Sequence, residues 1–196
     1  MAASRLTGEE RKTQIVAVTL RLISAHGVQG TSTRRIAAAA GVSEAMLYRH
    51  FASRNEIFLA ALDSVYERVY ELIESSRGED AVARLRSIGQ GHLALHSTRN
   101  VDFVFPLFEF IAAPPEAGLR APLGQKQVRA VTEIAAIVEA GKAAGSIRAD
   151  VDAKEAAWQL VGVFWLRDVA YLMDLGRSVY EGSIILMDTI LRSIST

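Results

Sequence analysis

The 196-residue chain contains no cysteine. That excludes disulfide staples, thiolate metal centres and a cysteine nucleophile, and with them a disulfide-framed secreted scaffold. Long hydrophobic runs are missing as well. The richest, Ala156 to Leu166, is about half the roughly 20 residues of a membrane span, and Arg167 and Asp168 close it. The N-terminal stretch MAASRLTGEERK lacks the apolar core of a signal peptide, so the expectation is a soluble, cytoplasmic protein without membrane partners. Net charge is absent too, with 22 basic side chains against 22 acidic. No phosphate-binding glycine loop, G-x-S-x-G elbow or H-E-x-x-H pair occurs, which argues against an enzyme. No cofactor is expected.

What is present is half hydrophobic, enough for a sizeable core. The zero net charge hides an asymmetry. Residues 1–55 hold eight Arg and Lys against three Glu, a local +5, and residues 56–196 hold 14 basic against 19 acidic, a local −5. A basic head on an acidic body suggests a polyanion-binding end joined to a part with another task.

The punctuation is helical throughout. Thr7-Gly-Glu-Glu10 fits a capping box, followed by Ile15, Val18, Thr19 and Leu22 on one face, with Gly27 as a left-handed stop. Thr33 is a plausible N-cap for a short helix through Ile36 to Gly41, and Ser43 for another from Glu44 to His50. The three-residue connection Gly41-Val42-Ser43 has helix-turn-helix spacing, though any tight helical hairpin would share it. Ser53-Arg-Asn-Glu56 opens a fourth helix, about 54–75, with apolar positions from Phe58 to Ile73. The expected domains are 1–55 and 56–196, with that helix linking them. Beyond it come further helices, punctuated by Pro114-Pro115, Gly145-Ser146, an Asp152 cap and a third capping box at Ser178–Glu181. The fold class is all-α, about nine helices: a three-helix head and a helical ligand-binding and dimerisation body.

Thr33, Ile36-Ala37, Ala40-Gly41-Val42-Ser43, Leu47-Tyr48, His50-Phe51 and a basic residue at Arg54 keep a fixed spacing. Over about residues 8–60 this stretch resembles the DNA-binding head of the tetracycline-repressor (TetR) family. The resemblance implies phosphate contacts from Tyr48 and His50, and from Arg54, which replaces the more usual lysine. Residue chemistry points the same way. Thr33 and Ser43 stand at helix starts, whose free N–H groups suit phosphate. Arg34 and Arg35 add charge, and an arginine fork matches phosphate or the guanine O6/N7 edge. Base readout is expected around Glu44, Ala45 and Met46, with Arg34 and Arg49 as outliers. Ala45 departs from the glycine many relatives carry. Glu44 has two open roles: accepting from cytosine N4, or complementing the helix dipole.

In the body, the large apolar side chains suit a ligand pocket but equally an ordinary core. The candidate liners are Tyr66, His92, His96, Phe103, Leu107, Phe108, Trp158, Val161 and Trp165. His92 and His96 sit four apart, a spacing that suits hydrogen bonding to a ligand and is also compatible with zinc, with Asp102 or Glu109 as a third donor; no metal site is assigned. Ala156 to Met173 is apolar nearly all round, too much for a monomer's surface helix. The last helix carries Tyr180, Ile184, Met187, Leu191 and Ile194 at seam spacing. With Phe164 and Tyr171, these are the expected homodimer contacts, as the family resemblance also implies. The expectation is a dimeric regulator that binds a palindromic DNA operator. It would be a repressor released when a small, largely apolar effector binds. The alternative is an architectural DNA binder or adaptor without an effector.

Overall fold

The structure is a computed structural model describing residues 6–97 and 101–196, with the side chains of 93–97, 101–103, 177 and 178 outside the description. Among the described residues the chain forms α1 (Gly8–Gly30), α2 (Thr33–Ala40), α3 (Glu44–His50), α4 (Arg54–Ser75), α5 (Ala81–Ser97), α6 (Val101–Ala112), α7 (Arg120–Ala144), α8 (Ala153–Leu172) and α9 (Arg177–Ile194). A 3-10 turn, Pro115–Ala117, precedes α7, and one isolated bridge pairs Ile147 with Ser195. The all-α class therefore stands. No helix among the described residues is long and apolar enough to cross a membrane.

Two compact units emerge: Met1–Glu67 with Val101–Gly124, and Arg68–Asn100 with Gln125–Thr196. The division falls within α4 and within α7, and the first unit takes in α6 as well as the N-terminal helices. Its organising element is α1, which packs against α2, α3 and α6. The Thr7 box forms as its residues require: the Thr7 N–H donates to Glu10 Oε2 at 2.7 Å and the Glu10 N–H to Thr7 Oγ1 at 3.3 Å. Ile15, Val18, Thr19 and Ile23 then line the buried face. Gly27 adopts φ 69°, ψ 172° and breaks the helical run before Val28. A side chain there would be strained, and its Cβ would stand 2.7 Å from Glu109 Oε2 of α6.

Two local expectations need correcting here. Ser32, not Thr33, caps α2: its Oγ accepts from the Arg35 N–H at 3.3 Å, and Thr33 is already helical. Both residues are good caps, so the adjacent pair is ambiguous in sequence. At α4, Ser53 Oγ accepts from the Glu56 N–H at 3.1 Å. The Glu56 carboxylate, however, reaches the Ala52 N–H instead of closing a reciprocal pair with Ser53.

The second unit is built on a core that includes Ile73, Leu85, Ile88, Ile134, Val138, Leu160, Phe164, Met187 and Leu191. Asp152 caps α8 twice, Oδ1 accepting from the N–H groups of Lys154 and Glu155 at 2.9 Å each. The expected box at Ser178 does not open α9. That helix starts at Arg177 behind Gly176, whose φ of 78° turns the chain without a side-chain cap. The Ser178 side chain lies outside the described residues.

A polar cluster sits inside this core. Arg167, only 2 % exposed, donates from Nε to Ser183 Oγ at 2.7 Å and from Nη1 to the Gly89 carbonyl at 2.8 Å. Asp168 lies 3.5 Å from His92 Nε2, and the His92 ring stacks on Phe164 at 4.6 Å. Burial pulls the Arg167 guanidinium below its ordinary pKa, and the Asp168 charge works against that shift. The cluster ties α8 to α5 and α9.

Candidate nucleic-acid interface

The helix-turn-helix sorts its side chains cleanly. Ile36, Ala37, Ala40, Leu47 and Phe51 are buried, which fixes α2 and α3 on the first unit's core. Gly41, in the left-handed region at φ 66°, ψ 34°, ends α2. Ser43 then caps α3 by accepting from the Met46 N–H at 3.2 Å. With Leu47 turned in, the α3 residues on either side of it turn out. Tyr48 is 51 % exposed. Glu44, Ala45 and Arg49 are exposed, and Met46 and His50 half-buried. From α2, Arg34 is exposed and Thr33 half-buried. One surface of the first unit therefore brings together Thr33, Arg34, Ser43, Glu44, Ala45, Tyr48 and Arg49, with Met46 and His50 at its margin. It carries arginine forks and a phenol, groups that hydrogen-bond phosphates and base edges.

Two of the expected contacts have other work. Arg54 donates from Nε to the Thr31 carbonyl at 3.0 Å and from Nη2 to the Val28 carbonyl at 2.7 Å. Its guanidinium also lies over the Phe58 ring, 4.7 Å from the centroid. Arg35 donates from Nη1 to the Gly30 carbonyl at 2.8 Å. The last turn of α1 has no basic residue of its own. Arginines from α2 and α4 thus satisfy its terminal carbonyls and complement its dipole. Arg54, the expected phosphate clamp, is engaged as an internal tie through Nε and Nη2. A further bond crosses the helix-turn-helix: Thr33 Oγ1 donates to Glu44 Oε2 at 2.8 Å.

The expected ligand liners fall in both units. Tyr66 and Leu107 are buried and Phe108 half-buried in the first. In the second, His92 and Val161 are buried. Trp158 and Trp165, 42 % and 41 % exposed, sit on the outer face of α8. The side chains of His96 and Phe103, like that of Asp102, lie outside the described residues. Among the described residues no group of three or more His, Asp or Glu is placed to hold a metal ion. A groove of about 470 Å³ in the second unit has a mixed wall of Tyr70, Ile73, Glu74, Arg84, Arg129 and Glu133 among others. It takes in none of the expected liners.

The expected dimer contacts also divide. Phe164, Met187, Leu191 and Ile194 belong to the second unit's own core, so they are corrected from interface to interior. Tyr171 and Tyr180 are half-buried, and Ile184 is exposed. The outward apolar face is instead Trp158, Trp165, Leu166 and Val169 on α8 with Ile184, Ile185 and Leu186 on α9. Sequence reading missed Leu166, Val169, Ile185 and Leu186. The signal was the run Ile184-Ile185-Leu186-Met187: four consecutive apolar residues cover all sides of a helix and cannot all face one core.

Residues 15–61 match the family model for bacterial regulatory proteins, tetR family. The nucleoid occlusion factor SlmA of Escherichia coli O1:K1 is 36 % identical over 93 residues, 45 % of this chain and 46 % of that protein. The chain thus spans about half the length of the curated relatives it matches. Among solved structures, a TetR transcriptional regulator from Chloroflexus aurantiacus J-10-FL superimposes with a TM-score of 0.83 at 22 % identity, covering 96 % of this chain and 97 % of that one. A TetR transcription regulator from Haloarcula marismortui ATCC 43049 gives 0.81 at 20 % identity, covering 96 % and 100 %. At such identities these two likenesses speak to the fold.

Proposed function

We propose that this chain, whose residues 15–61 match the tetR family model of bacterial regulatory proteins, is a dimeric, ligand-responsive repressor of transcription. The observation that carries the reading is the outward surface of Arg34, Tyr48 and Arg49 on a helix-turn-helix whose inner residues are fully packed. In the proposed dimer, two such surfaces about 34–36 Å apart enter successive major grooves of a near-palindromic operator. The exposed apolar side chains of α8 and α9 support pairing with a second copy, since clustered exposed apolar surface marks interaction sites. A small, largely apolar effector bound by the C-terminal helices releases the DNA by favouring a state that fits the operator poorly.

Fluorescence anisotropy on labelled duplexes from the gene's own upstream region tests the DNA reading. Tight, competitor-resistant binding at low salt is expected, and Tyr48→Ala with Arg49→Ala removes it. Binding that stays weak and indifferent to sequence defeats the proposal. The likeness to SlmA favours a second reading, a DNA-binding adaptor without an effector. Thermal-shift screening of apolar and aromatic compounds separates the two, because an effector raises the midpoint by mass action and an adaptor responds to none.

A further inference from the structure

The helix-turn-helix holds one acidic residue between Thr31 and His50, and it is Glu44. The same outward surface carries the exposed Arg34 and Arg49, and phosphate binding gains nothing from a carboxylate there. Complementing the dipole of α3 would need only the charge, with the side chain free to move. The structure shows a held rotamer instead. Thr33 Oγ1 donates to Glu44 Oε2 at 2.8 Å, across eleven positions of sequence and from one helix to the next. The hydroxyl occupies one carboxylate oxygen and leaves the other as a directed acceptor on an exposed side chain.

We propose that Glu44, oriented by Thr33, reads a cytosine in each operator half-site. The inference rests on the DNA-binding reading above. In the major groove the exocyclic donors are cytosine N4 and adenine N6. Adenine sets the N7 acceptor beside its donor, where a carboxylate oxygen is repelled. Cytosine offers N4–H₂ without an adjacent N7 acceptor, which suits a single acceptor. Thr33 is a positioning residue in this scheme, and its hydroxyl acts on specificity through Glu44.

The test is selection from a randomised duplex library by the full-length wild type, then by Glu44→Gln, Glu44→Ala and Thr33→Val. The wild type should select a motif with one cytosine per half-site that it prefers by roughly 5- to 20-fold over other bases. Glu44→Ala should lose that preference and keep the rest of the motif. Glu44→Gln should move the preference toward adenine, because an amide pairs with N6 and N7 together. Thr33→Val should weaken the cytosine preference without replacing it. An unchanged motif in Glu44→Ala or Glu44→Gln overturns the proposal, as does a wild-type motif without that cytosine. Loss of all binding by a folded Glu44→Gln, which keeps the acceptor for Thr33, also overturns it and leaves only an inter-helix tie. A wild type that selects no motif fails at the earlier step, the DNA-binding reading itself.

Discussion

Arginine is used in three ways in this chain, and each use sets a different expectation for its removal. Arg34 and Arg49 are exposed on the outward surface, so replacing them should cost DNA affinity and little stability. Arg54 and Arg35 hold the carbonyls of Val28, Thr31 and Gly30. Arg54→Ala is expected to destabilise the first unit by about 1.5–3 kcal/mol, the range for a hydrogen bond to a charged group, and Arg54→Lys to restore part of it. Urea unfolding followed by circular dichroism measures both. Arg167 is the third case. Removing it alone takes a cation from beside the buried Asp168 and a donor from both Ser183 Oγ and the Gly89 carbonyl. Arg167→Ala should therefore cost about 3–5 kcal/mol. The double change Arg167→Met with Asp168→Leu should cost less, since apolar replacement of both charges removes the desolvation penalty of each. Equal losses in the single and double variants would show that the charges contribute little and the packing nearly everything.

At the scale of elements, local signals were legible and facing was not. The Thr7 box, the Gly27 break, the Gly41 turn, the Ser43 and Asp152 caps and the helix count all follow from chemistry within a few residues of each feature. Ser32 and Thr33 are both competent caps, so the choice between them waited on packing. That α6 groups with the N-terminal helices depends on contacts between α1 and residues some eighty positions away, which no local pattern encodes. The α9 seam was misread for a related reason. The helix carries two apolar stripes, one through Met187, Leu191 and Ile194 and one through Ile184 and Ile185, and periodicity alone does not say which faces the core. The outward stripe yields the next prediction. Gly162 of α8 and Gly182 of α9 are exposed helical glycines at which an added Cβ would meet nothing within 4 Å. Each costs its helix about 0.5–1 kcal/mol relative to alanine, with no return inside the protomer. In the proposed dimer a closely approaching partner helix would account for both. Sedimentation should show Ile185→Asp as a monomer, and Gly162→Leu should weaken the dimer by at least about tenfold. A dimer that tolerates both changes does not use this face.

For the whole molecule the decisive quantity is where charge lies, since the head carries +5 and the remainder −5. An acidic body repels the same phosphates that the head attracts, so association must depend on the few side chains that reach the backbone. Binding should then weaken linearly in log–log form as salt rises, with a slope near −0.9 for each phosphate neutralised. If Arg34 meets a phosphate in both protomers of a dimer, Arg34→Ala should reduce the magnitude of that slope by about two and lower affinity on every sequence alike. If Arg34 instead reads guanine, the same substitution should relax one position of the motif and leave the slope nearly intact. Arg54→Ala is the internal control, because a guanidinium held by the Thr31 and Val28 carbonyls displaces no counterion. Its slope should match the wild type even where its stability does not. A slope that falls for Arg54→Ala as it does for Arg34→Ala would mean that the tie opens on DNA and that Arg54 reaches phosphate after all.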